Sequence, residues 1–338
     1  GLSDQTCLQY RGGFCFPTTG RIPKLIACDQ FRLEMWDTLR PTTLGGSGGR
    51  CIGANVSTYG ARWLRSKRKG HGMTVNRRIF LPPTAATALA VPALGQTDQW
   101  DGVADAAAGL PQCRALMIHQ SGQRVLAHVF RGPAMDRAVP IKSVSKTIVA
   151  ALTGAALDRG ELRSLDDPIG VVAPALIPRR ADPRVAELTI ADLVTMQAGL
   201  ERTSGANYGA WVSSSDWVAD ALSRPFVAEP GSRMLYSTGS FHILGAILAE
   251  IAGQDLLSLA RRRLGVPLGI EIPAWTRDPQ GRYMGGNEMA LTLEAMVRFG
   301  EMYRQSGQFG GQQVLSPAWV AKSFTPRTRS LFSGLKYG

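Results

Sequence analysis

The sequence predicts an α+β protein in which antiparallel strands come early and a long series of helices follows. Two short apolar runs, 115–119 and 124–130, flank the polar stretch 120–123, a pattern typical of a β-hairpin. Seven segments with helical apolar spacing then lie between residues 143 and 324. Because strands and helices do not alternate regularly, the order argues against a doubly wound parallel sheet.

The predicted helix at 143–159 is the most informative of the series. Its apolar residues recur at helical spacing and its middle carries almost no charge, so we expect it to be buried on most sides. Gly160 is expected to end it. In the helix at 213–222, Ser214 or Ser215 is the expected cap. The remaining helices are predicted at 188–196, 241–252, 256–264, 291–305 and 317–324.

The charge of this 338-residue chain is distributed unevenly. Its formal net charge is +12, and its composition of 44% hydrophobic and 19% charged residues is that of a globular protein. Residues 1–72 hold 11 Lys and Arg against 4 Asp and Glu, whereas residues 96–338 hold 25 against 22. The basic balance therefore belongs to the first part of the chain, and we expect no nucleic-acid binding by the remainder.

Residues 1–72 have little of the patterning of a packed domain. Four of the five cysteines lie here, at spacings that match no paired zinc motif, and the segment lacks periodic apolar residues. We expect an unstructured or non-native basic leader. A basic nucleic-acid arm and a small cysteine-linked domain are the alternatives.

Residues 73–95 resemble a twin-arginine export signal. Arg77-Arg78 precedes a short, weakly apolar stretch that ends in small residues, where a signal peptidase could cut. We expect a mature domain at 96–338 that is exported folded and is periplasmic or secreted. A buried helix start is the alternative. No stretch of 18 apolar residues occurs, so no ordinary membrane span is predicted.

The start of the apolar helix carries Ser143 and Lys146 in the pattern S-x-x-K. Three residues of helix are about 300° of rotation and about 4.5 Å of rise, so these side chains share a face. Ser145 points elsewhere and is the weaker candidate nucleophile. A serine hydroxyl needs a base, and burial would lower the pKa of Lys146 and make it one. The alternative is a serine cap with a surface lysine.

A third candidate residue, Tyr236, follows a Pro230-Gly231 turn and precedes the helix at 241–252. A nearby ammonium stabilises a phenolate, so a tyrosine beside Lys146 could exchange protons with the serine or the leaving group. The alternative is an ordinary core aromatic.

Together these segments resemble the penicillin-recognising serine hydrolases, most closely the class C β-lactamase-like branch. That branch includes β-lactamases, D,D-peptidases, esterases and aminohexanoate-oligomer hydrolases. The likeness runs from about residue 113 to residue 338. The segments that carry it are Ser143-x-x-Lys146, 192–200, Pro230-Gly231-x-x-x-x-Tyr236-Ser237, Leu244-Gly245 and Gly285-Gly286-Asn287.

The resemblance implies a β-lactamase/transpeptidase-like fold, with an antiparallel sheet flanked by helices, a mostly helical subdomain and the site between them. It also implies that Ser143 is acylated, that Lys146 and Tyr236 relay its proton, and that water then clears the acyl-enzyme. The expected substrate is a small-molecule ester or amide, with a β-lactam included.

Two departures from the family pattern matter. Where the family has Tyr-x-Asn, this chain has Thr238, which lacks an amide to orient a substrate carbonyl. This favours an ester or amide hydrolase over a true lactamase, with Thr238 as a substrate-binding residue. The family's Lys/His-x-Gly strand has no counterpart in position, since Lys336-Tyr337-Gly338 comes too early. We expect a truncated domain that lacks its C-terminal strands and is impaired or inactive, because one oxyanion donor is lost.

The sequence calls for no metal and no organic cofactor. Three of its four histidines, His119, His128 and His242, form no HExxH or similar ligand spacing and are interpreted as packed or surface residues. The alternative to an enzyme is a non-catalytic relative that binds cell-wall peptide or another ligand. Oligomeric state is not predicted.

Overall fold

The structure, a computed structural model, describes residues 7–9, 15–17, 24–29, 98–330, 334 and 336–337. All of them belong to one compact unit, formed by residues 1–32 and 95–338. The second unit, 33–94, lies outside the described residues, as do the predicted signal at 73–95 and most of the predicted leader.

The strands form small antiparallel sheets. The largest has three strands in the order β3-β4-β5, and the other described strands pair two by two as β1-β2, β6-β7, β8-β9 and β10-β11. The strands are β1 Cys7–Gln9, β2 Cys15–Pro17, β3 Lys24–Asp29, β4 Ala115–Gln120, β5 Gln123–Val129, β6 Val139–Pro140, β7 Ala290–Leu291, β8 Gln308–Phe309, β9 Gln312–Gln313, β10 Thr328–Arg329 and β11 Lys336–Tyr337.

Helices make up most of the described chain after β5. They are α1 Asp98–Ala108, α2 Ser145–Asp158, α3 Ile169–Val172, α4 Ile190–Val194, α5 Tyr208–Val212, α6 Trp217–Leu222, α7 Thr238–Ala252, α8 Leu256–Ala260, α9 Val266–Leu268, α10 Leu293–Arg304 and α11 Pro317–Ser323. This mixture of helices and small antiparallel sheets confirms the predicted α+β class.

The predicted early hairpin is present as β4 and β5. Ser121 and Gly122 form its turn with φ of +54° and +82°, which suits the right-handed twist of the flanking strands. The other edge of β4 pairs with β3, in a register that joins Lys24 to Gln120. β3 and two further short strands thus fall within the segment predicted to be a leader.

The core is built around α7, which packs against α2, α4, α6 and α8. Every residue from 238 to 248 is buried. The helix ends at Gly253, whose left-handed φ of +60° closes the last turn.

No single helix in the described part of the chain is long and apolar enough to cross a bilayer. One bent pair, Thr238–Ala252 with Leu256–Leu268 at 81°, meets the length and composition criteria together.

Several predicted helix starts are wrong, each for a local reason. The helix predicted from residue 143 begins with a 3₁₀ turn, Lys142–Val144, because Lys142 enters with φ +47°. α6 begins at Trp217, because the Asp216 carboxylate accepts two backbone N–H groups and caps it, in place of Ser214 or Ser215. α7 begins three residues before the predicted start, and the predicted helix 256–264 passes into a π-helical turn, Arg261–Gly265.

Candidate active site

Ser143 lies in the 3₁₀ turn that leads into α2 and is half-buried. The neighbouring Ser145 is fully buried and holds this turn in place. Its Oγ donates to the Lys142 carbonyl at 2.5 Å and accepts the Met289 N–H at 3.2 Å. The second serine of the motif therefore fixes the backbone that carries the first, a role that the sequence did not indicate.

Lys146 lies one turn after Ser143 and points into the protein, with only 5% of its surface exposed. Its Nζ donates to the Gly286 carbonyl at 2.7 Å, lies 3.3 Å from Thr238 Oγ1, and sits 4.9 Å from the centre of the Tyr236 ring. The structure thus places two of the other three predicted site residues, Thr238 and Tyr236, against Lys146, and Ser143 is on the adjoining turn.

Burial sets the electrostatics of this cluster. It lowers the pKa of Lys146 below the ordinary value of 10.5, while charge and hydrogen-bond interactions with Tyr236 act in the opposite direction. Desolvation disfavours the ammonium, and the described ion pairs provide no carboxylate for it. A lowered pKa makes the amine easier to deprotonate, which is the direction that the predicted role of Lys146 as a base requires.

A group of hydroxyls surrounds Thr238 at the N-terminus of α7. Ser237, at the N-cap position, makes no capping bond with its own side chain. Instead Thr203 Oγ1 accepts the Gly239 N–H at 2.7 Å, and Ser204 Oγ accepts the Thr238 N–H at 2.9 Å. Ser204 Oγ also lies 3.0 Å from Thr238 Oγ1. The Thr238 hydroxyl is therefore shared between Lys146 and Ser204, and it is buried.

Gly285 and Gly286 let a loop lie directly against α7. A Cβ at Gly285 would lie 2.1 Å from the Phe241 carbonyl oxygen, and one at Gly286 would lie 2.9 Å from that of Thr238. No side chain fits there, so the glycines are what allow the Gly286 carbonyl to reach Lys146. The sequence marked this pair as part of the family pattern, and the contact gives its physical reason.

The residues after these glycines contact Tyr208 and Lys142, the latter next to Ser143. Asn287 Nδ2 donates to the Tyr208 hydroxyl at 3.2 Å. Burial raises the pKa of Tyr208 above 10.0, the ordinary tyrosine value, despite this hydrogen bond. Glu288 pairs with Lys142 at 3.1 Å, and both have left-handed φ, +67° and +47°. Such backbone strain in non-glycine residues persists only where surrounding contacts fix it, and it is common around active sites.

Two sequence expectations concern residues outside this cluster. Lys336 is exposed in β11, where it pairs with Arg329 of β10. In the described part of the chain, no group of three or more His, Cys, Asp or Glu side chains could hold a metal ion.

Comparison with known proteins connects this geometry to a family. The family model described as Beta-lactamase matches residues 87–335. Over 154 residues the chain is 27% identical to the D-alanyl-D-alanine-carboxypeptidase/endopeptidase AmpH of Escherichia coli (strain K12). That match covers 44% of this chain and 39% of the relative, so it spans about two fifths of the relative's length.

Solved structures share the fold at low sequence identity. The octameric penicillin-binding protein homologue from Pyrococcus abyssi has a TM-score of 0.54 and 19% identity, over 73% of this chain and 64% of that one. EstCE1, a hydrolase with promiscuous acyltransferase activity, has a TM-score of 0.56 and 18% identity, over 68% and 76%. These matches confirm the predicted β-lactamase/transpeptidase-like fold. Because the family model covers well over half of the chain, the protein belongs to the Beta-lactamase family.

Proposed function

We propose that this protein is a serine hydrolase that cleaves an ester or amide bond through an acyl-enzyme on Ser143. The observation that carries the proposal is the buried Lys146 amine, one turn from Ser143, hydrogen-bonded to the Gly286 carbonyl and next to the Tyr236 ring. Membership of a family of hydrolases is consistent with this chemistry.

The proposed reaction has two halves. Ser143 Oγ adds to the substrate carbonyl carbon while its proton passes to the neutral Lys146 amine, directly or through the Tyr236 hydroxyl. The tetrahedral adduct then expels the leaving group, which takes up that proton. In the second half water adds to the Ser143 ester, gives a proton to the same base, and releases the acid with Ser143 restored.

Thr238 has a different proposed part from the one that its position in the sequence suggested. Its hydroxyl lies between Lys146 Nζ and Ser204 Oγ, at 3.3 and 3.0 Å. A hydroxyl in that place orients the amine. We therefore propose that Thr238 holds Lys146, and that any substrate contact by Thr238 is secondary to this.

The substrate class remains an ester or amide, and the relatives suggest which to test. AmpH of Escherichia coli is a carboxypeptidase and endopeptidase for D-alanyl-D-alanine, and EstCE1 is a hydrolase with acyltransferase activity. A D-alanyl-D-alanine peptide, a p-nitrophenyl ester and a chromogenic cephalosporin form a suitable panel. The predicted twin-arginine export, and with it a periplasmic or secreted location, is likewise a proposal.

Steady-state turnover of the panel by the full chain tests the proposal. We expect slow hydrolysis of at least one ester or amide by wild type, its loss in Ser143→Ala, and full retention of the wild-type rate in Ser258→Ala, an exposed serine on α8. Turnover that survives Ser143→Ala would contradict the proposal. Binding of the D-alanyl-D-alanine peptide without turnover of any substrate would instead indicate a non-catalytic relative.

A further inference from the structure

His242 is a buried titratable residue that the proposed reaction does not use. Its side chain lies in α7 and is fully inaccessible to solvent. Its Nδ1 accepts the Gly285 N–H at 3.3 Å, and its Nε2 lies 3.1 Å from Asp278 Oδ2. The rings of Trp211 and Trp217 pack edge-on against it, with centroids 5.8 and 5.5 Å away. Both ring nitrogens therefore have a partner.

These partners allow one tautomer of the imidazole. A backbone N–H such as that of Gly285 can only donate, so Nδ1 must be unprotonated. A carboxylate such as that of Asp278 can only accept, so Nε2 must carry the proton. The neutral Nε2–H form of His242 thus satisfies both contacts, whereas the other tautomer satisfies neither.

Asp278 is held as a carboxylate in the hairpin that leads to the glycines. Its Oδ1 accepts the Arg282 N–H at 2.7 Å, and Oδ2 lies 3.4 Å from the Arg282 guanidinium. Burial acts to raise the pKa of Asp278, but the hydrogen bonds from His242 and Arg282 outweigh it and leave the pKa below the ordinary value. The ionised carboxylate, the form that selects the tautomer, is therefore favoured.

The glycine that His242 holds is bonded directly to the glycine that contacts Lys146. Gly285 is anchored through its N–H, and the Gly286 carbonyl accepts the Lys146 amine at 2.7 Å. The same segment lies too close to α7 for a Cβ at either position. The helix thus prevents the loop from moving inward, and the bond to His242 keeps it from moving outward.

We propose that His242 and Asp278 are positioning residues that hold Gly285 and Gly286, and through them aim the Lys146 amine at Ser143. This inference rests on the proposed function. Neither residue touches a reacting atom, and the described contacts join them to Lys146 only through the glycine backbone.

Two substitutions of His242 separate this role from simple packing. In His242→Asn the side-chain oxygen can take the place of Nδ1 and accept the Gly285 N–H. In His242→Gln the longer side chain places its polar atoms near the Nε2 position and leaves that N–H without an acceptor. A packing role predicts that Gln, which is closer in volume, is tolerated better, whereas a positioning role predicts that Asn is.

The measurement is kcat and KM of the full chain for a substrate that wild type hydrolyses, with thermal unfolding as a check on folding. We expect His242→Gln to lose about 10²-fold in kcat, the scale of an error of about 1 Å in placement, with KM little changed. His242→Asn should keep most of the wild-type kcat. Equal kcat in wild type and His242→Gln, or a larger loss in the Asn variant, would overturn the inference.

If His242→Gln does not fold, Asp278→Asn decides the matter. An amide has a single oxygen, so it cannot accept hydrogen bonds from both His242 and Arg282 as the carboxylate does. If its NH2 group faces His242 Nε2, it favours the tautomer with the proton on Nδ1, which leaves the Gly285 N–H facing another donor. We expect a reduced kcat with unchanged KM, and an unchanged kcat would overturn the inference. Failure of the proposed function is distinct, because wild type itself would then show no Ser143-dependent turnover.

Discussion

Lys146 has few of the partners that a buried cation requires. Only 5% of the residue is exposed, and its described contacts are a carbonyl, hydroxyls and aromatic rings. Burying an ammonium without a carboxylate is costly, and such a group responds by losing its proton. At the residue scale, burial in this site therefore lowers the pKa of the Lys146 amine, one turn from Ser143.

Replacing the amine with a group that cannot lose its proton tests this role. Lys146→Arg keeps the positive charge, but a guanidinium does not act as a base. We expect kcat/KM to fall by about 10²–10⁴-fold, the usual contribution of general acid–base catalysis. Lys322→Arg, an exposed lysine on α11, is the matched control and should leave kcat/KM unchanged. Comparable activity in both variants would show that Lys146 is not the base.

The pH dependence of acylation follows from the same burial. Because desolvation lowers the pKa of Lys146 below 10.5, the active neutral amine forms at lower pH than in free lysine. The rate of Ser143 acylation should rise with pH and reach half of its maximum below pH 10.5. Stopped-flow labelling by a fluorophosphonate across the pH range measures it. A rate still rising steeply near 10.5 would mean that the lysine pKa is not lowered.

Stability should change with pH in the same window. The unfolded chain holds the Lys146 proton up to the ordinary pKa of 10.5, whereas the folded chain releases it at lower pH. Between the two pKa values the unfolded state binds more protons, so this residue makes the free energy of unfolding increase as pH rises. Below the folded-state pKa, the contribution of Lys146 to the free energy of unfolding is at its least favourable.

At the scale of elements, the N-terminus of α7 depends on side chains from a distant loop. Ser204→Ala removes the acceptor of the Thr238 N–H and the neighbour of the Thr238 hydroxyl. We expect a loss of about 1 kcal/mol in the free energy of unfolding, as for other lost caps, and a lower kcat because Lys146 loses support. Urea unfolding and turnover measure both, with Ser258→Ala as the control. An unchanged kcat in Ser204→Ala would show that Ser204 does not support Lys146.

A second element-scale prediction concerns the contact of α2 with α11. A Cβ at Gly154 would lie 2.4 Å from the Trp319 indole, whereas one at Gly102 in α1 would meet nothing within 4 Å. Alanine usually stabilises a helix interior by about 1 kcal/mol over glycine. We expect that gain for Gly102→Ala and the opposite sign for Gly154→Ala, because Trp319 must move. Stabilisation by Gly154→Ala in thermal unfolding would contradict the described packing.

At the scale of the whole molecule, the sequence predicted what is local and missed what the fold assembles. The hairpin of β4 and β5 and the buried helix that carries Lys146 were predictable, because turn residues and apolar spacing determine them within a few positions. The Ser204–Thr238 and His242–Asp278 contacts were not, because their partners lie 34 and 36 residues apart. Without a fold, a threonine–serine pair in a loop and a histidine in an apolar helix carry no recognisable signal.

The resemblance to the family predicted one long-range contact. It brought Tyr236 to Lys146, a contact across about 90 residues, because motif order substitutes for the missing distance information. It could not show that the Thr238 hydroxyl contacts Lys146 and Ser204, since the family pattern has an asparagine at this position. Departures from a pattern are therefore where the structure adds most.

In the proposed function, Ser143 becomes covalently acylated with Lys146 as its base. Intact-mass analysis and peptide mapping after reaction with a fluorophosphonate test it most directly. We expect one adduct, on Ser143, absent in Ser143→Ala and formed far more slowly in Lys146→Arg. An adduct on another residue, or none on wild type, would contradict the account.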